Sequence, residues 1–239
     1  MRRKTKTWYG HLLAVFFPER CACCGQVIAY ARGYCPRCAA SLPRMEGDLC
    51  PQCGQERTAC RCRQHRPQFD RCALPFWYDG VMRQGILRYK KEARPYITAL
   101  FARELAETVR REYGEEAFTC VVPVPMYEAA QKERGFNPVA LLARELAEQL
   151  GVPYAEPLVK ILDTPAQKEL PAARRRGNLI GAFDLRGGAD VRQARILLVD
   201  DVITTGSTLD ECAKMLKLYG AQRVCAICLA GTRAPERRR

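Results

Sequence analysis

Between Arg195 and Thr208 the chain reads RILLVDDVITTGST, and this stretch spaces acids and hydroxyls in a way that suits a phosphorylated sugar. Ile196, Leu197, Leu198 and Val199 form a short apolar run fit for a buried parallel strand. Asp200 and Asp201 follow, and Thr204-Thr205-Gly206-Ser207-Thr208 then opens a helix whose apolar periodicity spans residues 209–219. Carboxylates at the end of a strand can reach sugar hydroxyls or a bound Mg²⁺. A hydroxyl-rich turn at a helix start presents amide N–H groups and the positive end of the helix dipole, which favour a phosphate. Taken alone, Asp-Asp is a common solvated turn and Thr or Ser a common cap. In register, with Gly206 allowing close backbone approach, the two halves imply a phosphate and a ribose bound side by side.

Cysteine supplies the second chemistry. Ten of the fourteen cysteines fall before residue 73, most of them in close pairs. Cys21-x-x-Cys24-Gly25-Gln26 returns 29 residues later as Cys50-x-x-Cys53-Gly54-Gln55, and each copy is followed by another pair, Cys35 with Cys38 and Cys60 with Cys62. A C-x-x-C-G turn aims two sulfurs at one centre, and two such turns complete the closed tetrahedral set of a structural zinc. The duplication therefore predicts one or two structural Zn²⁺ ions, one on Cys21, Cys24, Cys35 and Cys38 and the other on Cys50, Cys53, Cys60 and Cys62. Pairing is sequential within each repeat or cross-braced between repeats. Disulfides would need an oxidising compartment. An iron–sulfur cluster also uses four thiolates, but the paired C-x-x-C-G turns favour zinc. A site filled by four protein ligands scaffolds and leaves no open position for catalysis. Cys23 is an extra beside Cys24, and Cys72, Cys120, Cys212, Cys225 and Cys228 read as core residues. With only His11 and His65 in the chain, histidine-based nucleophilic catalysis has little to draw on.

The elements around these groups alternate between strand and helix. Residues 73–92 read as a strand, a turn at Asp79-Gly80 and a short amphipathic helix. Residues 97–113 form a strongly periodic helix that buries Leu100, Phe101, Leu105 and Val109. A strand at 119–122 runs into Pro123-Val124-Pro125, a loop continues to Gly135-Phe136-Asn137, and Pro138 begins a helix to residue 150. Strands are expected at 158–162, 182–185, 196–199 and 224–229. Such alternation argues a parallel α/β sheet, whose ligands sit beyond the carboxyl ends of the strands.

A length of 239 residues accommodates one sizeable domain and a small one. The net charge of +13 fits a partner that bears phosphates, whether a small ligand or nucleic acid. Basic residues concentrate at 2–6, 61–71, 174–176 and 237–239, although such runs are also ordinary solvated surface. The apolar stretch at residues 8–17 follows MRRKTK as in a signal peptide, yet it is too short to span a bilayer and Phe17-Pro18-Glu19-Arg20 offers no cleavage site. It is expected to be a short packed or interfacial helix in a cytoplasmic protein without a membrane span.

All thirteen positions from Ile196 to Thr208 resemble the 5-phosphoribosyl-1-pyrophosphate (PRPP) signature of type I phosphoribosyltransferases. The resemblance implies that Asp200 and Asp201 hold the ribose 2′- and 3′-hydroxyls, and that Thr204, Thr205, Gly206, Ser207 and Thr208 cradle the 5′-phosphate. With the CxxCG pairs, Tyr89-Lys90, Val122-Pro123-Val124-Pro125, Arg134-Gly135-Phe136-Asn137, Gln167, Arg175-x-x-Asn178 and Gly181-Ala182-Phe183, the chain resembles the ComF family of double zinc ribbon phosphoribosyltransferase-like proteins over residues 16–230. It departs from that pattern at Pro138, where the family usually has glutamine, and in the shortened pair Cys60-Arg61-Cys62. The implied architecture is a double zinc ribbon at about residues 19–66 joined to a parallel-sheet type I phosphoribosyltransferase domain at about 70–232. The implied chemistry is Mg²⁺-dependent transfer of phosphoribose from PRPP to an unknown acceptor, with release of pyrophosphate. Arg134, Asn137, Gln167 and Arg175 are then the groups expected on the pyrophosphate side. Lys90 is a further phosphate candidate, although a lone lysine on a short helix is more often surface. The family's link to DNA uptake in natural transformation raises an alternative, a PRPP-sensing module that binds single-stranded DNA through its ribbons and basic surface and works with competence or DNA-processing proteins. Tyr30, Tyr34, Trp77 and Tyr78 are its candidate stacking platforms, and each could equally be core.

Overall fold

The apolar run at residues 196–199 lies inside a nine-residue strand, Arg195–Ile203, that forms the middle of a parallel sheet. The computed structural model describes residues 18–30, 32–60, 62–114, 116–161 and 181–233. The expectations for residues 8–17, for 237–239 and for 162–180, including Gln167, Arg174, Arg175, Arg176 and Asn178, lie outside the described residues.

A short helix α1 (Pro36–Ala40) follows the first cysteine pair, with Cys35 at its N-cap and Cys38 inside it. Strands β1 (Arg71–Ala73) and β2 (Phe76–Trp77) lead into helix α2 (Gly80–Glu92), capped at its start by the Asp79 carboxylate. Helix α3 (Pro95–Tyr113) precedes β3 (Cys120–Pro123). Helices α4 (Glu128–Arg134) and α5 (Pro138–Leu150) come next, then β4 (Leu158–Lys160) and β5 (Phe183–Leu185). The chain closes with β6 (Arg195–Ile203), α6 (Ser207–Leu218) and β7 (Arg223–Gly231).

The sheet order is β1-β7-β6-β3, with β2 continuing the β1 edge along β7, and every pairing in it is parallel. Side chains alternate across β6. Leu197 and Val199 join the core formed by α2, α3 and α5, while Ile196 and Leu198 join α6 and the β4–β5 pair. Phe101, Leu105, Leu142 and Leu146 are fully buried on the first face. At about 1.5–3 kcal/mol per side chain, their burial is ample to fix the strand ends that carry the acids. At the opposite, amino-terminal edge, the Glu116 carboxylate bridges Arg195 and Arg223 and so ties β6 to β7.

Three elements differ from the sequence expectation. Strand β6 runs through both acids to Ile203, because Val202 and Ile203 keep pairing with Ala230 and Gly231 of β7. The stretch between β3 and Asn137 is not all loop, since α4 occupies Glu128–Arg134. The segments expected as strands at 158–162 and 182–185 pair with each other antiparallel, as β4 and β5, outside the parallel sheet. Among the described residues no helix is long and apolar enough to cross a membrane.

Candidate functional site

Alternation along β6 sends its two acids to opposite faces. Asp201 turns to the α2 side, where its Oδ1 lies 2.7 Å from Lys90 Nζ, and only 7% of the residue is exposed. Asp200 turns to the α6 side, and its Oδ1 accepts a hydrogen bond from the Asp201 backbone N–H at 2.8 Å. Burial pushes the Asp200 carboxyl up to about 7, with the Asp201 charge adding to the shift and Lys90 opposing it. Two carboxylates thus sit at the carboxyl end of the sheet's middle strand, one ion-paired and one held in a poorly solvated position.

The turn that follows is built for close approach. Gly206 adopts φ +79°, a left-handed conformation that favours glycine, and it caps α6 without offering a side-chain hydrogen bond. Thr204 and Thr205 are exposed and Ser207 is buried, with the Thr205 and Ser207 hydroxyl oxygens 2.8 Å apart. Asp210, in the first turn of α6, accepts a hydrogen bond from the Gln68 backbone N–H and lies 4.0 Å from His65. The chain after the second cysteine set therefore packs against this turn. An uncapped helix start beside two carboxylates can bind a phosphate and a polyhydroxylated sugar together.

The carboxyl end of β3 lies at the same sheet edge, since Pro123 pairs with Val199. The segment leaving it carries Arg134, exposed at the last position of α4, and a left-handed Gly135 at φ +83°. Asn137 is buried, and its Oδ1 caps α5 by accepting from Val139 N (3.0 Å) and Ala140 N (3.3 Å). The structure places Arg134 and Asn137 on the connection expected to face pyrophosphate. Gln167 and Arg175 lie outside the described residues.

The eight paired cysteines form two clusters, Cys21, Cys24, Cys35 and Cys38 in one and Cys50, Cys53, Cys60 and Cys62 in the other. Within each cluster the sulfurs lie within 4.8 Å of one another. The grouping is sequential, each repeat closing on itself. A tetrahedral zinc with Zn–S bonds of about 2.3 Å sets its sulfurs about 3.8 Å apart. The Cys24–Cys35, Cys53–Cys60 and Cys50–Cys62 separations are 3.8, 3.7 and 4.0 Å. That spacing fits a single ion, and an iron–sulfur cluster, which spreads its thiolates over several irons, needs a wider set. Burial raises the Cys21 thiol, but donors from the Cys24, Cys35 and Cys23 backbones outweigh it and bring the group down to about 7. Cys50 is likewise brought to about 7, burial being outweighed by the Cys53 backbone, the Cys60 side chain and further donors. Burial pushes Cys23 the other way, up to about 12, and it likewise raises Cys38, Cys53 and Cys62 among the paired thiols. Two thiols near neutrality, one in each cluster, lower the cost of forming the thiolates that a metal requires.

The contact of Lys90 with Asp201 is one the sequence alone does not show. The motif Tyr89-Lys90 was visible, but no periodicity within a helix reports that one of its lysines meets a carboxylate on a distant strand. Of the four aromatic candidates, Tyr34 and Trp77 are core residues at 8% and 4% exposure, and only Tyr30 and part of Tyr78 face solvent.

Comparison with known proteins finds both domains. A model of the phosphoribosyl transferase domain matches residues 133–239, and a model of the double zinc ribbon domain matches residues 12–81. The chain is 32% identical over 220 residues to competence protein F of Haemophilus influenzae, an alignment covering 87% of this chain and 95% of that one. It is 33% identical over 225 residues to the DNA utilization protein YhgH of Salmonella typhimurium, covering 90% and 98%. To the competence protein ComFC of Streptococcus pneumoniae it is 26% identical over 205 residues, covering 80% and 84%.

Proposed function

Since the chain belongs to the ComF family, in which a double zinc ribbon accompanies a type I phosphoribosyltransferase domain, we propose that it binds PRPP and transfers the phosphoribosyl group to an acceptor. The observation that carries this is the placement of Asp200 and Asp201 beside a helix start opened by Gly206, on one edge of a parallel sheet. The acids accept hydrogen bonds from the ribose hydroxyls, and the turn from Thr204 to Thr208 surrounds the 5′-phosphate with amides and hydroxyls. Breaking the bond from C1 to pyrophosphate leaves positive charge on the sugar and added negative charge on the diphosphate. Arg134 from α4, with Gln167 and Arg175, stabilises that departing charge. Asp200 and Asp201 are the carboxylates that would reach a Mg²⁺ ion or its waters, and that ion would neutralise part of the same charge.

Calorimetric titration with PRPP and Mg²⁺, followed by a pyrophosphate-release assay over a panel of bases and single-stranded DNA, tests the proposal. Saturable binding with acceptor-dependent release is the expected result, and no PRPP binding would end it. The ribbons belong to the proposal as structural zinc sites, one or two ions in number. Their need for reduced thiols suits a cytoplasmic site of action.

A second reading is supported by the surface of the ribbons and by the names of the relatives. Arg37, Arg63 and Arg66 are exposed on or beside the two cysteine sets, with Tyr30 at 39% exposure, in a chain of net charge +13. The relatives bear the names competence protein F and DNA utilization protein. Under this reading the protein contributes to DNA uptake by holding single-stranded DNA, with PRPP as a regulatory ligand. Its affinity for a single-stranded oligonucleotide should then fall tenfold or more, by counterion release, between about 50 and 200 mM salt. Fluorescence anisotropy at the two salt concentrations measures it, and absent or salt-insensitive binding would remove this reading.

A further inference from the structure

Three consecutive residues of α2 reach three different parts of the molecule. Arg88 Nη1 donates to the Cys21 carbonyl at 2.8 Å, Tyr89 Oη donates to the Pro138 carbonyl at 3.0 Å, and Lys90 Nζ pairs with Asp201 Oδ1 at 2.7 Å. Successive helical residues point about 100° apart, so one turn can address the first cysteine cluster, the start of α5 and the acid of β6 at once. The contact with the cysteine turn is close. A Cβ added at Gly85 would lie 3.3 Å from both the Ala22 carbonyl oxygen and Cys23 Cα, and one at Gly25 would collide with the Arg88 guanidinium. Gly85 and Arg88, three residues apart, thus form the face of α2 that abuts the ribbon.

The contact with Asp201 has an electrostatic purpose. Two neighbouring carboxylates would repel an anionic sugar phosphate as well as each other. A cation on Oδ1 offsets one of these charges and leaves Oδ2 to accept from a hydroxyl. The side chain of Lys90 remains 31% exposed and that of Asp201 10%, so the pair is neither sealed in the core nor free in solvent.

We infer that Lys90 is a positioning residue of the sugar-phosphate site, and that the first cysteine ribbon sets its placement by bracing α2 through Gly85 and Arg88. The inference rests on the PRPP-binding reading above. It gives the ribbon a role in ligand affinity as well as in folding.

Titration of PRPP with Mg²⁺ into the full-length, zinc-loaded protein tests it, with zinc content and melting temperature recorded for each variant. Lys90→Met should weaken binding about tenfold or more while leaving zinc content unchanged and lowering the melting temperature by about a few degrees at most, since Asp201 loses its partner. Lys90→Arg, which keeps the charge, should stay within about threefold of the wild type. Arg88→Met should weaken binding about threefold in the wild-type background and have no further effect in Lys90→Met, because the brace acts through the lysine. Unchanged or tighter binding in Lys90→Met, or a loss of zinc or of more than a few degrees of melting temperature with it, overturns the assignment. Additive effects of the two substitutions overturn the bracing. A wild-type protein that fails to bind PRPP overturns this inference and the proposed function together, whereas wild-type binding with an unaffected Lys90→Met overturns the inference alone.

Discussion

Replacing both acids of β6, Asp200→Asn with Asp201→Asn, is expected to abolish measurable PRPP binding while leaving the fold and the zinc content intact. Each carboxylate is assigned hydrogen bonds from ribose hydroxyls, and a hydrogen bond to a charged group contributes about 1.5–3 kcal/mol. Loss of two such groups amounts to about 3–6 kcal/mol, a hundredfold or more in affinity at about 1.4 kcal/mol per tenfold. The fold should tolerate the change. Asparagine has the same shape, and Asp200 is a group whose charge is disfavoured where it sits, since burial pushes its carboxyl up to about 7. Its partner across the sheet is the buried Cys228 of β7, and removing a charge from that environment costs nothing in solvation. Lys90 loses its ion pair, but its 31% exposed side chain can be solvated in compensation. Calorimetric titration with PRPP and Mg²⁺ reads the affinity, thermal melting the fold, and metal analysis the zinc. Affinity equal to that of the wild type would show that the acids do not contact the ligand and would end the phosphoribosyl reading.

Much of this site could be read from the sequence because its parts are contiguous. Strand β6, the turn at Gly206 and helix α6 follow one another without interruption, so local rules place the acids beside the helix start. The cysteine sets were legible for the same reason, each closing within a single repeat. What sequence did not yield was long-range. The end of β6 is not legible in the sequence because a DDVI segment has no strong strand signal of its own, and pairing with β7 carries it on to Ile203. The segment at Leu158–Lys160 has the composition of a sheet strand, yet its partner is β5 and its direction antiparallel, which only tertiary packing decides. Lys90 does not stand out in the sequence because a lysine on an amphipathic helix is usually solvated, and its proximity to Asp201 depends on how α2 is seated against the first ribbon.

That seating also separates the two cysteine sets in their consequences. Cys50→Ser with Cys53→Ser is expected to remove one zinc equivalent, and Cys35→Ser with Cys38→Ser to do the same. The two variants should part company in stability. Cys21, Cys35 and Cys38 are buried at 0%, 3% and 2% exposure, in the same core cluster as Phe101, Ile97 and Leu105 of α3. Gly33, between the first two cysteine pairs, packs so tightly on Leu100 that an added Cβ would lie 2.7 Å from its Cδ1. The second set is less buried, with Cys53, Cys60 and Cys62 only half-buried, although its Gly54 also packs closely, on Leu74. A structural zinc contributes about 10–16 kcal/mol to the segment it folds, but only a segment welded to the main core passes a share of that on to the whole chain. The first-set variant should therefore melt about 10 °C or more below the wild type, corresponding to several kcal/mol at about 2–4 °C each for a chain of this size. The second-set variant should lose only a few degrees. Metal analysis by mass spectrometry with differential scanning calorimetry measures both quantities. Retention of two zinc equivalents by either variant would mean that its cysteines are not ligands. Loss of both ions at once would mean that metal is shared across the repeats, and equal melting temperatures would show that the first ribbon is no more part of the core than the second.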